Sequence, residues 1–391
     1  MPRFSRWLVT TLLLAPLGAL AATEVQPTRD DEVLEVLPAV TRERPTGVPA
    51  ARQGADPVVA ARAAHQHIAM ARQSGDTRYW GRAQAQLTPW WDRVDAPVEL
   101  AVLQATVQQG RHEFDAARKV LAATLARTPG HAQGWLNLAA LERLSARYPE
   151  SLAACEAVAR AGQAWYALAC RLETLSLQGQ HAIATQGLQT LMTQTTQAEQ
   201  RSWLMSLLAE SQERAGRDAV ASDAYQRSLA LAPDLYTSIA YSDLLLRTGR
   251  TAQVLQALAD LPETDAVLLR RAAAWRRLGD AQWGAARARL QERSAELLRR
   301  GDEPSLHGRE LALTALWLDD DPARALVLAR SNLRLQREPL DWWVALQSAR
   351  QAKDTAALTD IASAIQTAGL NDMRLKVLLA AATAPTTRPT K

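Results

Sequence analysis

Residues 202–235 read SWLMSLLAESQERAGRDAVASDAYQRSLALAPDL, and this stretch decides the fold. Two helical runs lie either side of Ala215-Gly216, and neither shows the two-residue alternation that a half-buried strand needs. Pro233 stops the second run, because proline lacks the N–H that a helix interior uses and its ring collides with the preceding turn. With Ser202 as position 1 of a 34-residue frame, Leu208 and Ala209 fall at 7 and 8, Gly216 at 15, Ala221 at 20, Tyr225 at 24 and Pro233 at 32. The small residues at 8 and 20 let two antiparallel helices approach, and the aromatic at 24 fills the gap to a neighbouring pair.

Working outward, the same spacing returns. Trp135, Leu138, Ala139, Tyr148 and Ser151 take positions 4, 7, 8, 17 and 20 of a unit beginning at 132. Residues near 97–130 contribute Phe114, Ala117 and Pro129, and Trp165, Leu168 and Ala169 open a further unit. Leu268, Ala272, Leu278 and Gly279 begin a later one, and Ala325, Ala329, Asn332 and Pro339 mark a second helix near the end. Unit starts at 132, 162, 202 and 236 are unevenly spaced, by 30, 40 and 34 residues. In these positions the chain resembles the tetratricopeptide repeat over about 300 residues. Ser74-Gly75-Asp76-Thr77-Arg78-Tyr79 through Pro89-Trp90-Trp91, with Arg337-Glu338-Pro339, is further similar to exported bacterial members of unassigned activity.

The resemblance implies an all-α solenoid of helix pairs in a right-handed superhelix, whose first helices line a concave wall that takes extended peptides or helices. It places groove-facing side chains near positions 2, 5, 9 and 12 of each first helix. Those are Gln133, Leu136, Ala140 and Arg143, then Gln163, Tyr166, Cys170 and Glu173. Trp203, Ser206, Glu210 and Glu213 follow, then Thr237, Ala240, Leu244 and Arg247. Family members that grip a C-terminal carboxylate carry Lys and Asn at positions 5 and 9; Leu136 with Ala140 and Tyr166 with Cys170 stand there here, so that clamp is not expected. Tyr166 and Trp203 are the preferred contacts, since an aromatic on a solvated wall supplies area at little entropic cost. Trp135 and Trp165, at position 4, belong to packing.

Composition agrees with a folded chain: of 391 residues, 48% are apolar and 22% charged, which excludes a wholly disordered one. Only two Phe accompany twelve Trp and six Tyr, an unpromising supply for a β-sandwich. Residues 1–21 place Arg3 and Arg6 before an apolar stretch from Trp7 to Leu20 that ends in Ala19-Leu20-Ala21, the order of a secretory signal cut after Ala21. The apolar stretch is shorter than the roughly 20 residues that span a bilayer, and no transmembrane segment is expected in the mature chain. Removing the signal leaves 43 basic against 41 acidic residues, a balance that argues against nucleic acid as partner. A periplasmic location is expected, with secretion as the other outcome of export.

Residues 22–55 form a linker interrupted by Pro27, Pro38, Pro45 and Pro49. Within it, Asp30-Asp31-Glu32-Val33-Leu34-Glu35-Val36-Leu37 is an acidic and aliphatic island. It reads as a pinned strand or turn, or as a docking peptide for a partner or for the chain's own body. The helical body occupies 56–380, and residues 381–391 form a small polar tail expected to be disordered. Nine arginines, Arg270, Arg271, Arg276 and Arg277 among them, face three acids between 267 and 300. Such a run is a solvated helix face or a basic patch for an acidic partner, a membrane surface or the island at 30–37.

Cys155 and Cys170 lie about 6 and 8 residues from the break at Ala161-Gly162, roughly 10 and 12 Å along antiparallel axes, so a disulfide and two free thiols both remain open. No phosphate loop, nucleophile elbow, zinc-protease helix or metal-spaced cysteine pair occurs, so neither catalysis nor a cofactor is expected. His65 and His67 point roughly 200° apart on a helix and cannot chelate together. Asp319-Asp320-Asp321-Pro322 reads as a turn ending in an N-cap rather than a calcium cluster. The function expected is that of a non-catalytic scaffold binding a protein or peptide of the cell envelope. A glycan-binding module is the alternative, because indole rings stack on sugars.

Overall fold

The computed structural model describes residues 56–299 and 307–383. Among these residues there are nineteen α-helices and no strand. They run α1 (Pro57–Ser74), α2 (Arg78–Leu87), α3 (Val98–Gly110), α4 (Phe114–Arg127), α5 (Ala132–Leu144), α6 (Tyr148–Arg160), α7 (Ala164–Leu177), α8 (His181–Thr193), α9 (Ala198–Arg214) and α10 (Asp218–Leu231). The series continues through α11 (Leu235–Arg247), α12 (Thr251–Ala257), α13 (Asp265–Leu278), α14 (Gln282–Arg299), α15 (Gly308–Trp317), α16 (Pro322–Asn332), α17 (Pro339–Gln351), α18 (Thr355–Ala368) and α19 (Met373–Thr383). Each odd-numbered helix up to α17 packs on the even-numbered helix after it, and each pair packs on the next, which makes an α-solenoid. Residues 1–55, where a signal, a linker and the island at 30–37 are expected, and the end of the tail lie outside the described residues.

The local chemistry of the ends is direct. Asp56 accepts a hydrogen bond from the Val58 amide at 2.8 Å while Pro57 opens α1, and Asp321 accepts from the Arg324 amide at 2.9 Å while Pro322 opens α16. The turn inside each pair carries one residue of positive φ: glycine at 75, 179, 216, 249 and 279, but His112, Ala146, Asp320 and Lys353 in the others. At the repeat positions where helices touch, Ala139, Ala169, Ala209, Ala221, Ser151 and Ala184 are fully buried. Tyr225 is fully buried too. A large side chain would hold such helices apart, so alanine at these positions is a packing requirement.

Cys155 of α6 and Cys170 of α7 are joined by a disulfide, with Cα atoms 5.7 Å apart across a sequence separation of 15. This covalent tie spans two neighbouring pairs. The pairs pack continuously, and one apolar cluster runs from Tyr148 to Leu375.

The stack then returns on itself. The segment between α16 and α17 crosses the α5–α6 turn, where the Arg337 amide donates to the Leu144 carbonyl at 2.7 Å and Leu335 packs on the cluster of Val102, Phe114 and Leu121. Before α19, the Asn371 amide donates to the Leu177 carbonyl at 2.8 Å. A Cβ on Gly179 would run into Asn371, so this close approach requires glycine. At the other end, the α1–α2 turn meets the starts of α11 and α13, where Gly75 lies against Thr264 and Leu235. The inner face of the middle pairs is therefore roofed by the last pairs of the same chain, where a solenoid with free ends would leave it open.

Candidate functional site

Roofing creates a chamber. Its wall is α9, α11 and α13; its roof is the α15 start, the α17 start and Arg374 of α19. The cavity measures about 240 Å³, and a neighbour of about 280 Å³ shares Glu213, Asp243, Leu340 and Arg374 with it.

Arginine and carboxylate pairs line both wall and roof, and one of them, Arg374 with Glu213, joins the two. Arg374 donates to Glu213 at 2.8 Å and to Asp372 at 2.5 Å. Arg247 reaches the same Glu213 at 3.1 Å and Asp218 at 2.6 Å. Arg270, almost fully buried, makes a two-pronged contact with Asp243 at 2.9 Å on each prong. Arg309 grips Asp341 the same way at 2.7 and 2.8 Å and also bonds Glu338. Asp341 is itself held by the Asn332 side chain at 2.7 Å and the Glu338 amide at 2.9 Å. Two-pronged geometry suits guanidinium to carboxylate, and a charge taken from water needs such partners.

These environments shift the ionisations. Burial raises the Glu210 and Asp243 carboxyls above their usual range, against the pull of Arg214 and Arg270 respectively. Burial alone would lower Arg374 and Arg309, but Asp372 with Glu213, and Asp341 with Glu338, outweigh it and hold both guanidiniums well above normal. Burial, with Glu213 adding to it, pushes the Tyr225 hydroxyl up.

Between these charges the lining is apolar: Tyr236, Ile239, Ala240, Pro339 and Leu340. Tyr236 is 59% exposed, and its hydroxyl donates to Glu210 at 2.8 Å. The Glu310 carboxylate also lines the cavity and has no ion pair among the described residues. Such a chamber can seat an apolar or aromatic side chain next to a carboxylate.

Beyond it lies a second aromatic group. Trp165 and Tyr166 meet edge to face with ring centres 4.9 Å apart, and Trp203 stands 5.9 Å from the first and 6.1 Å from the second. Gln200 donates to the Tyr166 hydroxyl at 3.1 Å, and Trp203 is 36% exposed. Tyr166, Trp203 and Tyr236 thus lie in the N-terminal halves of three consecutive first helices, α7, α9 and α11, an aromatic row in which Tyr166 and Trp203 are in ring contact.

The structure places the other groove positions as follows. Arg143 pairs with Glu173 at 2.7 Å, across α5 and α7. Glu210, Glu213 and Arg247 stand in the ion network that meets the roof. On α11, Ala240 lines the chamber and Arg247 the adjoining cavity, while Thr237 and Leu244 are buried and Tyr236 and Asp243 also face the chamber. Cys170 is consumed by the disulfide.

Among the described residues, the arginines of the basic run have partners on several different elements. Arg270 turns inward to Asp243, Arg271 caps the Leu258 and Ala259 carbonyls, Arg276 takes Asp320 and the Trp317 carbonyl, and Arg277 bonds the Leu246 carbonyl. Arg287 pairs with Asp319, and Arg289 and Arg293 with Glu263. These acids come from other turns of the chain, which a local charge count does not see. His65 bonds Glu99 at 2.8 Å and the His67 ring lies 6.0 Å from that of Tyr79. Among the described residues no group of three or more His, Cys, Asp or Glu could hold a metal ion, and no helix is long and apolar enough to cross a membrane.

No protein-family model matches the sequence, and no curated protein matches it. Among solved structures, the chain is similar to a tetratricopeptide repeat protein from Parabacteroides merdae at 11% identity. That likeness covers 64% of this chain and 98% of the other, with a TM-score of 0.37. It is also similar to the tetratricopeptide domain of P58(IPK) at 14% identity, covering 84% and 97% of the two chains with a TM-score of 0.27. Likenesses at this level add nothing to the fold, which rests on the helix pairing itself.

Proposed function

We propose, taking a solenoid of tetratricopeptide-like helix pairs as the premise, that the chain is a non-catalytic scaffold. It binds a protein, or a peptide segment of one, along the aromatic row that leads into the chamber. One observation carries this reading: Tyr166, Trp203 and Tyr236 lie in the N-terminal halves of three adjacent first helices, and the last of them opens on a chamber where apolar side chains sit between charged ones. Aromatic anchors beside a desolvated pocket are where protein interfaces concentrate their affinity. An extended peptide crossing successive helices meets one ring per pair. The cell envelope is the proposed setting, supported by the secretory order of residues 1–21 and by a disulfide that an oxidising compartment would sustain.

The test is direct. A partner recovered by crosslinking in cells should be lost from Trp203→Ala and Tyr236→Ala, each by about tenfold or more for a hot-spot aromatic. It should be kept by Ile183→Ala, a control on a 54% exposed residue of a second helix. Retention by both aromatic variants would defeat the assignment. A shift of Trp fluorescence on adding wall glycan, with no protein captured, would favour the glycan reading instead, since the Trp165, Tyr166 and Trp203 rings could also stack on sugars.

A further inference from the structure

A second cleft lies where the segment between α16 and α17 crosses the α5–α6 turn. Two cavities of about 630 and about 360 Å³ open there and share Ser145, Arg147, Arg334 and Arg337. The larger is lined by four arginines, Arg147, Arg330, Arg334 and Arg337, against one carboxylate, Asp360. Its apolar lining comes from Leu333, Ile361, Ala364 and Trp342.

The four arginines differ in what already holds them. Arg147 is tied to Glu142 at 3.1 Å and Glu150 at 3.0 Å, and Arg330 approaches Asp360 at 3.6 Å. Arg334 donates only to the Ser331 hydroxyl at 2.9 Å, and Arg337 only to the Leu333 carbonyl at 2.9 Å. Neither has a carboxylate partner among the described residues, and both are exposed. Meanwhile the Arg337 main chain is locked onto Leu144, so its guanidinium is presented from a fixed anchor. Each fork keeps several N–H donors free for an acceptor.

We propose that this cleft binds an acidic segment of a partner polypeptide, with carboxylates on Arg334 and Arg337 and an aliphatic side chain against Ile361 and Ala364. Two free forks select for carboxylates, which they can meet in two-pronged fashion. The apolar lining separates a peptide from a bare anion, because it rewards a side chain that an inorganic ion lacks. The cleft uses none of the residues of the aromatic row, so this inference goes beyond the proposed function and stands whether or not the chamber takes a partner.

A fluorescein-labelled peptide of alternating Glu and Leu tests it by anisotropy with the full chain. Binding should weaken between about 50 and about 200 mM salt, as the screening length shortens. A Lys and Leu peptide should not bind. Arg334→Glu/Arg337→Glu should lose about tenfold or more in affinity, as should the gentler Arg334→Gln/Arg337→Gln, each with an unchanged thermal midpoint. Trp203→Ala should bind the acidic peptide like the parent chain, which separates failure here from failure of the aromatic row. Equal binding by the arginine variants, equal binding of the basic peptide, no binding of the acidic one, or binding of inorganic phosphate alone would each overturn the proposal.

Discussion

The chamber and the cleft use the same residue for opposite ends. In the chamber, Arg247, Arg270, Arg309 and Arg374 each sit on one or two carboxylates, drawn from helices up to 161 residues apart in sequence. In the cleft, Arg334 and Arg337 hold only a hydroxyl and a carbonyl. The difference teaches that a guanidinium is spent structurally once its carboxylate is covered, and remains available where the fold presents it without one. Buried pairs of the first kind add little net stability over an apolar substitute, but leaving one member alone is expensive. The pair that crosses from the last helices to the middle of the stack is Arg374 with Glu213, and such a pair contributes specificity of contact more than net stability.

The sharpest way to break this contrast is Glu213→Ala. It takes from Arg247 and Arg374 one of the two carboxylates that each holds, and should cost about 3 kcal/mol in urea unfolding, the low end for breaking a buried pair because Asp218 and Asp372 remain. A cost near zero would mean that the roof does not depend on the network. Next comes Cys155→Ser/Cys170→Ser, which opens a covalent loop of about 15 residues and should cost about 3 kcal/mol against the oxidised parent, measured the same way. That value sharpens the comparison, since it scales a local covalent tie against the ionic tie between distant pairs.

Acid supplies a third test. The Arg247 guanidinium holds the Asp218 carboxyl below its usual value, so the unfolded chain binds this proton more tightly than the folded one. The stabilisation from this pair is therefore full above the usual carboxylate range, near pH 4, and is lost as pH falls through the lower folded value. Asp218→Asn should lower the urea midpoint at neutral pH, and the gap to the parent should narrow steadily on acidification. A gap independent of pH would contradict the pairing. Burial acts the other way on Asp243, whose raised value means that it takes up its proton at higher pH and releases Arg270 earlier. The smallest effect expected is in the cleft, where Arg334→Gln should change stability by no more than about 0.5 kcal/mol, as at an ordinary surface site.

Much of the stack was legible in the sequence because its causes are local. Asp56-Pro57 and Asp321-Pro322 carry their own N-caps, and Ala209, Ala221 and Tyr225 declare a helix pair by spacing alone. The near-matched levels of Cys155 and Cys170 left a bond open as one outcome, and only side-chain direction could settle it. What the spacing could not contain is the return of the chain on itself. Glu213 and Arg374, or Leu144 and Arg337, share no local pattern, so the roofed chamber had no signature. The same gap explains Arg270, Arg276, Arg287, Arg289 and Arg293, which look unmatched within their own segment and meet Asp243, Asp320, Asp319 and Glu263 in space, while Arg271 and Arg277 meet main-chain carbonyls. On α11 the frame finds Ala240 and Arg247 but points to buried Thr237 and misses Tyr236, which lines the chamber beside them. A capping pattern, Glu338 with Asp341 around Pro339, was the available hint that α17 begins at a constrained place.

The most direct test of the chamber is a photo-crosslinking amino acid installed at position 236, with position 183 on the face of α8 as control. In living source cells, the account predicts one discrete protein adduct from 236, competed by the unlabelled parent chain and absent from 183. Adducts of equal yield and pattern at both positions, or none at 236, would contradict it.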